Sequence, residues 1–68
     1  MSEFTVYEAR QWRAATEASV RATRASVRRL VYGGGRVPEH LRQTLQYHLD
    51  LRGKARRAER AALEEASP

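Results

Sequence analysis

Three consecutive glycines, Gly33 to Gly35, divide this chain into two segments of nearly equal length that are rich in alanine and arginine. From Thr5 to Tyr32 the chain contains neither glycine nor proline, and alanine and arginine are strong helix formers. A glycine run ends a helix readily, because glycine adopts the left-handed conformation found at helix C-termini. The sequence therefore predicts two helices joined by a short turn.

The ends of the two helices carry local signals. Thr5 and Glu8 have the spacing of a capping box at the start of the first helix. Pro38 suits the first position of the second helix, where its missing amide costs no hydrogen bond. We predict helices over about residues 5–32 and 38–66 and a glycine turn over 33–37, in a single helical-hairpin domain covering residues 1–68.

The second helix has one weak point in its sequence. Gly53 lies in its interior, where glycine costs about 1 kcal/mol relative to alanine. Beyond it, the segment 54–66 contains only Leu63 as a large apolar residue. We therefore expect a kink at Gly53 and weak order in the segment that follows.

Apolar residues at three- and four-residue spacing give each helix one apolar stripe. Equal helices joined by a short turn are typical of an antiparallel hairpin, so the predicted fold class is all-α. A chain of 68 residues has a thin core, and without cysteine it has no disulfides to support that core. We expect the hairpin to dimerise into a four-helix bundle or to pack on a partner. The residues predicted for core and self-association are Trp12, Val20, Val27, Leu30, Val31, Leu41, Leu45 and Leu51.

Positive charge is the main surface feature of the sequence. The formal net charge is +5, and twelve of the thirteen basic residues are arginine. Such charge fits binding to an acidic protein surface, because a guanidinium group can form two parallel hydrogen bonds to one carboxylate. It also fits nucleic acid, whose phosphates arginines neutralise without reading sequence, and it is equally typical of a solvated helix surface. The candidate binding residues are Arg10, Arg13, Arg21, Arg24, Arg28, Arg56, Arg57 and Arg60.

Signals for catalysis, metals and cofactors are missing from the sequence. The glycine turn lacks the lysine and hydroxyl residue of a phosphate-binding loop. His40 and His48 are too few and too widely spaced for a zinc site. Two helices also offer little concavity for a small substrate. We therefore expect no enzyme activity, cofactor, metal or small-molecule substrate.

The predicted function is that of a non-catalytic interaction protein, a small regulator or assembly factor. It would associate with itself and bind an acidic protein through its arginines, with sequence-nonspecific nucleic-acid binding as the alternative. No run of 18 apolar residues occurs, so no segment is predicted to span a membrane. We expect a cytoplasmic protein of a bacterium or a phage that does not act at membranes.

Overall fold

The computed structural model describes residues 3–67 and contains two α-helices, α1 (Val6–Tyr32) and α2 (Glu39–Ala66). They pack side by side along their whole length, and the rod has Cα extents of 53 × 15 × 12 Å. The predicted all-helical class with two packed helices is confirmed. We call the end that holds the glycines the turn end, and the other the open end.

The capping box at the start of α1 is formed as predicted. The backbone N–H of Glu8 donates to Thr5 Oγ1 at 3.1 Å, and the backbone N–H of Thr5 donates to Glu8 Oε1 at 3.0 Å. Two amides that the helix leaves without backbone acceptors are thereby satisfied. The sequence signal alone thus locates the start of α1.

The glycine turn ends α1 with a left-handed residue. Gly34 has φ +80°, which side chains with a Cβ adopt rarely. Its N–H donates to Val31 O at 3.0 Å, and the N–H of Gly35 donates to Leu30 O at 2.9 Å. These two bonds form a Schellman motif, and the chain then turns back toward α2.

Helix α2 differs from its prediction in two respects. Pro38 is the residue before the helix rather than its first member, with extended backbone at ψ 149°. Its carbonyl accepts from the N–H groups of Leu41 and Arg42. The helix then continues through Gly53 to Ala66, so the predicted weakness leaves no gap in the helix. Its last turns are held because Ala55 and Ala62 are buried against α1.

The seam between the helices is formed mostly by small side chains. The buried residues are concentrated from the middle of the rod to the open end, and Val20 is the largest that is fully buried. Alanines in a seam permit close approach of the two backbones but exclude little water, since the buried area of each is small. The buried residues are Ala9, Thr16, Val20, Thr23, Ala55 and Ala62.

Large apolar residues near the turn are covered only in part. Leu41 and Leu45 are half-buried, whereas Leu30 and Val31 are 38% and 53% exposed. Leu30 and Val31, which were predicted for the core and for self-association, are thus outside the core of the single chain, and their part in self-association stays a prediction. Two helices of this width offer neighbours on one side only, so the outer half of each bulky side chain remains in water.

An aromatic pair lies near the open end. The rings of Phe4 and Trp12 have centroids 5.3 Å apart and are tilted by 35°. Both side chains are half-buried. Trp12 was predicted from its position on the apolar stripe, whereas Phe4 was missed because it precedes the helix and follows no helical spacing.

We predict that Gly53→Ala stabilises the chain by roughly 0.5–1 kcal/mol, because the substitution restricts the unfolded chain and suits a helix interior. A Cβ at this position would lie 3.5 Å from Arg57 Nη1, an ordinary contact with a flexible side chain. Denaturant unfolding followed by circular dichroism measures the change.

The matched control is Gly34→Ala, which places a Cβ on a left-handed residue and should destabilise the fold. Equal effects of the two substitutions would contradict this account of the glycines.

Candidate interaction surface

One side of the hairpin carries an arginine stripe along α1. Arg10, Arg21, Arg24 and Arg28 follow helical spacing to one side of the seam, and all four are exposed. Arg52 and Arg56 lie on the same side of α2. Arg56 contacts Glu17 of α1, and Arg52 precedes Arg56 by four residues, which places both on one helix face. We call this side the arginine flank.

Four charged residues join the two helices across this flank. Arg13 Nε lies 2.7 Å from Glu59 Oε2, and Arg56 Nη2 lies 3.1 Å from Glu17 Oε1. Arg13 Nη1 lies 3.6 Å from Glu17 Oε2 and connects the two pairs. The network joins residues of α1 and α2 that face each other across the flank. Its members are partly exposed, so it serves alignment more than stability.

The network shifts the ionisation of its members. The hydrogen bond from Arg56 lowers the pKa of Glu17 below its ordinary value, and the positive charge of Arg13 adds to the effect. Glu59 raises the pKa of Arg13 through its hydrogen bond and its charge. In the capping box, the backbone N–H of Thr5 lowers the pKa of Glu8.

The eight arginines predicted to bind an acidic partner fall into two groups. Arg13 and Arg56 are already paired with carboxylates of the same chain. The other six are exposed and form no ion pair within residues 3–67. These six are Arg10, Arg21, Arg24, Arg28, Arg57 and Arg60.

The free arginines are not all on one side of the rod. Helical spacing puts Arg57 on the outer surface of α2, away from α1. The sequence prediction also omitted Arg52, whose charge acts on Glu17 across the flank. Its helical step from Arg56 could have indicated its position.

The densest positive charge is therefore in the turn half of the arginine flank. Arg21, Arg24 and Arg28 lie there on α1, with Arg52 on α2. We call these four residues the arginine patch. The acidic residues of this half are Glu39 and Asp50, and helical spacing places both on other sides of α2. The nearest acid on the flank is Glu17, which is already paired with Arg13 and Arg56.

The opposite side of the seam is the apolar flank. It consists of Trp12, Ser19, Thr23, Ser26 and Leu30 on α1, followed on α2 by Tyr47, Leu51 and Ala58. Tyr47 is 61% exposed, and its ring lies edge-on to His48 at 5.6 Å. The predicted core residue Leu45 falls on the arginine flank instead.

The open end has a hollow of about 450 Å³ that is open to solvent. Its lining includes Phe4, Glu8, Ala62 and Glu65, and the Glu8 carboxylate is already engaged in the capping box. Across residues 3–67, no three histidine or acidic side chains cluster as metal ligands would. Neither α1 nor α2, within that same range, has the length and apolar character of a membrane span.

The fold and surface thus define a charged two-helix hairpin with one basic side and one apolar side. No protein-family model, curated protein sequence or solved structure matches the chain.

We predict that acid destabilises the hairpin through Glu17. A carboxyl whose pKa is lowered on folding stabilises the folded chain at pH values above its unfolded pKa, here 4.5. That contribution disappears as the pH falls through the lowered folded pKa. Glu17→Gln should therefore reduce the melting temperature at neutral pH and flatten its decline between about pH 5 and pH 3.

Thermal melts across this pH range test the prediction, with Asp50→Asn as the control because Asp50 is exposed and outside the network. If the Glu17 variant lost stability with acid as steeply as the unaltered chain, the ion pairs of Glu17 would have no role in acid destabilisation.

Proposed function

We propose that this chain is a non-catalytic interaction protein that associates with itself and binds an acidic protein surface through the arginine flank. In this proposal two hairpins form a four-helix bundle, and the arginine patch remains on its outside. The chain would act in the cytoplasm as a small regulator or assembly factor.

Incomplete burial is the observation that supports self-association. Val20 is the one large apolar side chain that is fully buried within residues 3–67. Leu30, Val31 and Tyr47 are exposed, while Trp12 is only half-buried. Covering such side chains contributes roughly 25 cal/mol per Å² of apolar surface, and closed two-fold dimers are the commonest means of covering them.

The arginine patch is the observation that supports an acidic protein partner. Each guanidinium presents several N–H donors in a fixed plane, which suits paired hydrogen bonds to carboxylates. The nearest acid on its flank, Glu17, is already paired with Arg13 and Arg56, so the donors of the patch are available to another molecule.

A second candidate partner is nucleic acid. Arg21, Arg24 and Arg28 follow one line along α1, at steps of about 5 to 6 Å given a rise of 1.5 Å per residue. Such a line can neutralise successive phosphates without reading bases. Salt dependence and nuclease treatment distinguish this partner from an acidic protein.

We predict a solution mass of twice the 7.8 kDa of one chain, measured by light scattering or sedimentation. Because association stabilises only the folded chain, the melting temperature should also rise with protein concentration. A folded species with the mass of one chain and a concentration-independent melting temperature would refute self-association.

We predict that changing Arg21, Arg24 and Arg28 together to glutamate abolishes binding of an acidic partner, because the patch then repels it. Capture from a bacterial extract, with and without nuclease, measures the loss and tells protein from nucleic acid. Helicity should be unchanged, since all three side chains are exposed on α1.

The matched control changes Arg29, Lys54 and Arg57 to glutamate. It changes the net charge by the same amount as the first triple variant, but these three residues lie off the arginine flank. Equal loss in both triple variants would show that net charge alone matters and would contradict a defined binding flank.

A further inference from the structure

The middle of the apolar flank is built to approach another surface closely. Ser19, Thr23 and Ala58 are small and lie between the larger Trp12 toward the open end and Leu30 toward the turn. On α2, the bulky Tyr47 and the small Ala58 lie at equal distances on either side of the helix middle. A copy that runs in the opposite direction can therefore place bulky side chains of one chain over small ones of the other.

The hydroxyl groups on this flank already have acceptors inside the helix. Ser19 Oγ donates to Ala15 O at 3.1 Å, Thr23 Oγ1 donates to Ser19 O at 2.9 Å, and Ser26 Oγ donates to Ala22 O at 3.3 Å. Burial of a polar group costs most when it leaves a donor without a partner. Covering this flank therefore leaves none of these three donors without one.

Bulky residues come opposite small ones when two copies run in opposite directions, because a two-fold axis across the flank places α1 opposite α1 and α2 opposite α2. Trp12 lies about 10 Å from the middle of α1 toward the open end, taking 1.5 Å per residue. Tyr47 lies about 8 Å from the middle of α2 toward the turn, on the same scale. With a two-fold axis through the middle, Trp12 lies opposite Ser26 of the other copy's α1, and Tyr47 lies opposite Ala58 of the other copy's α2.

Charge is distributed unevenly along the rod in a way that favours this direction. At the open end, residues 3–9 and 61–67 contain four glutamates and no basic residue. At the turn end, residues 28–42 contain four arginines and only Glu39 as an acid. Copies in opposite directions place unlike ends together, whereas copies in the same direction place like ends together, which costs free energy.

We propose that a second copy of this chain binds the apolar flank in the opposite direction, with Trp12 over Ser26 and Tyr47 over Ala58 of the second copy and the acidic open end beside the other copy's turn arginines. This inference rests on the proposed self-association and adds its surface and direction. Both arginine flanks then lie on the outside of the dimer, so one dimer offers two acidic-partner sites.

The direction is tested by a distance between labels. The chain has no cysteine, so Ser67→Cys places a single spin label at the open end of each copy. Opposed copies give a label separation comparable to the 53 Å length of the rod. Copies running in the same direction give less than about 20 Å, because packed helices lie 8–10 Å apart.

The solution mass is measured on the same labelled sample. A mass of two chains with a long separation supports the proposal, and a mass of two chains with a short separation overturns the direction alone. A mass of one chain overturns the direction and the self-association together.

The surface is tested by aromatic substitutions. Trp12→Ala and Tyr47→Ala should each raise the dimer dissociation constant about tenfold or more, as for anchors of an interface. Tyr7→Ala is the control, because Tyr7 is 73% exposed and points away from this flank by helical spacing. An equal response to all three substitutions would overturn the assignment of the flank.

Two single charge changes test the direction again with opposite signs. Glu64→Lys adds positive charge at the open end and should weaken the opposed dimer, whereas Glu39→Lys adds it at the turn end and should leave the dimer unchanged or strengthen it. Both changes in dimer stability should become smaller in about 1 M salt, because the Debye length is then about 3 Å. The reverse pair of signs would mean that the copies run in the same direction.

Discussion

Close approach of two helices along a seam of small side chains is the constraint on which the other features depend. Ala9, Ala55 and Ala62 have almost no exposed surface, so the backbones of α1 and α2 lie near each other there. This proximity brings Arg13 to Glu59 and Glu17 to Arg56. It also leaves the bulky residues beside the seam with one covered side and one exposed side.

Features set by residues near one another in sequence were predictable. The capping box of Thr5 and Glu8 and the left-handed Gly34 depend on backbone hydrogen bonds within a few residues, so their signals are local. The partners of Glu17 were not predictable in the same way. Its sequence neighbour Arg21 has favourable helical spacing, yet Glu17 contacts Arg13 and Arg56. Which arginines Glu17 contacts depends on the register between α1 and α2.

Surface sites were predictable only in their residue type. Arginine composition indicated a basic surface, but the pairing of Arg13 and Arg56 and the separate direction of Arg57 depend on which faces meet. Helical spacing becomes informative about both flanks once the cross-helix pairs identify one of them. Phe4 lies outside any helical pattern, so its contact with Trp12 required the folded chain.

The arginine flank and the apolar flank differ in how much electrostatic repulsion they would create against a second copy of the chain. A chain with a net charge of +5 repels its own copies, and this repulsion is strongest where arginines face each other. The arginine network reduces the charge near the middle of the rod, because Glu17 and Glu59 offset Arg13 and Arg56. Arg21, Arg24, Arg28 and Arg52 of the patch form no ion pair within residues 3–67.

Contact through the apolar flank keeps the two patches apart, whereas contact through the arginine flank would bring them together and cost electrostatic free energy in proportion to the charges opposed. The same separation leaves the patches open to an acidic partner. A chain with one apolar and one basic side can thus join a copy of itself and a partner of opposite charge without competition between the two surfaces.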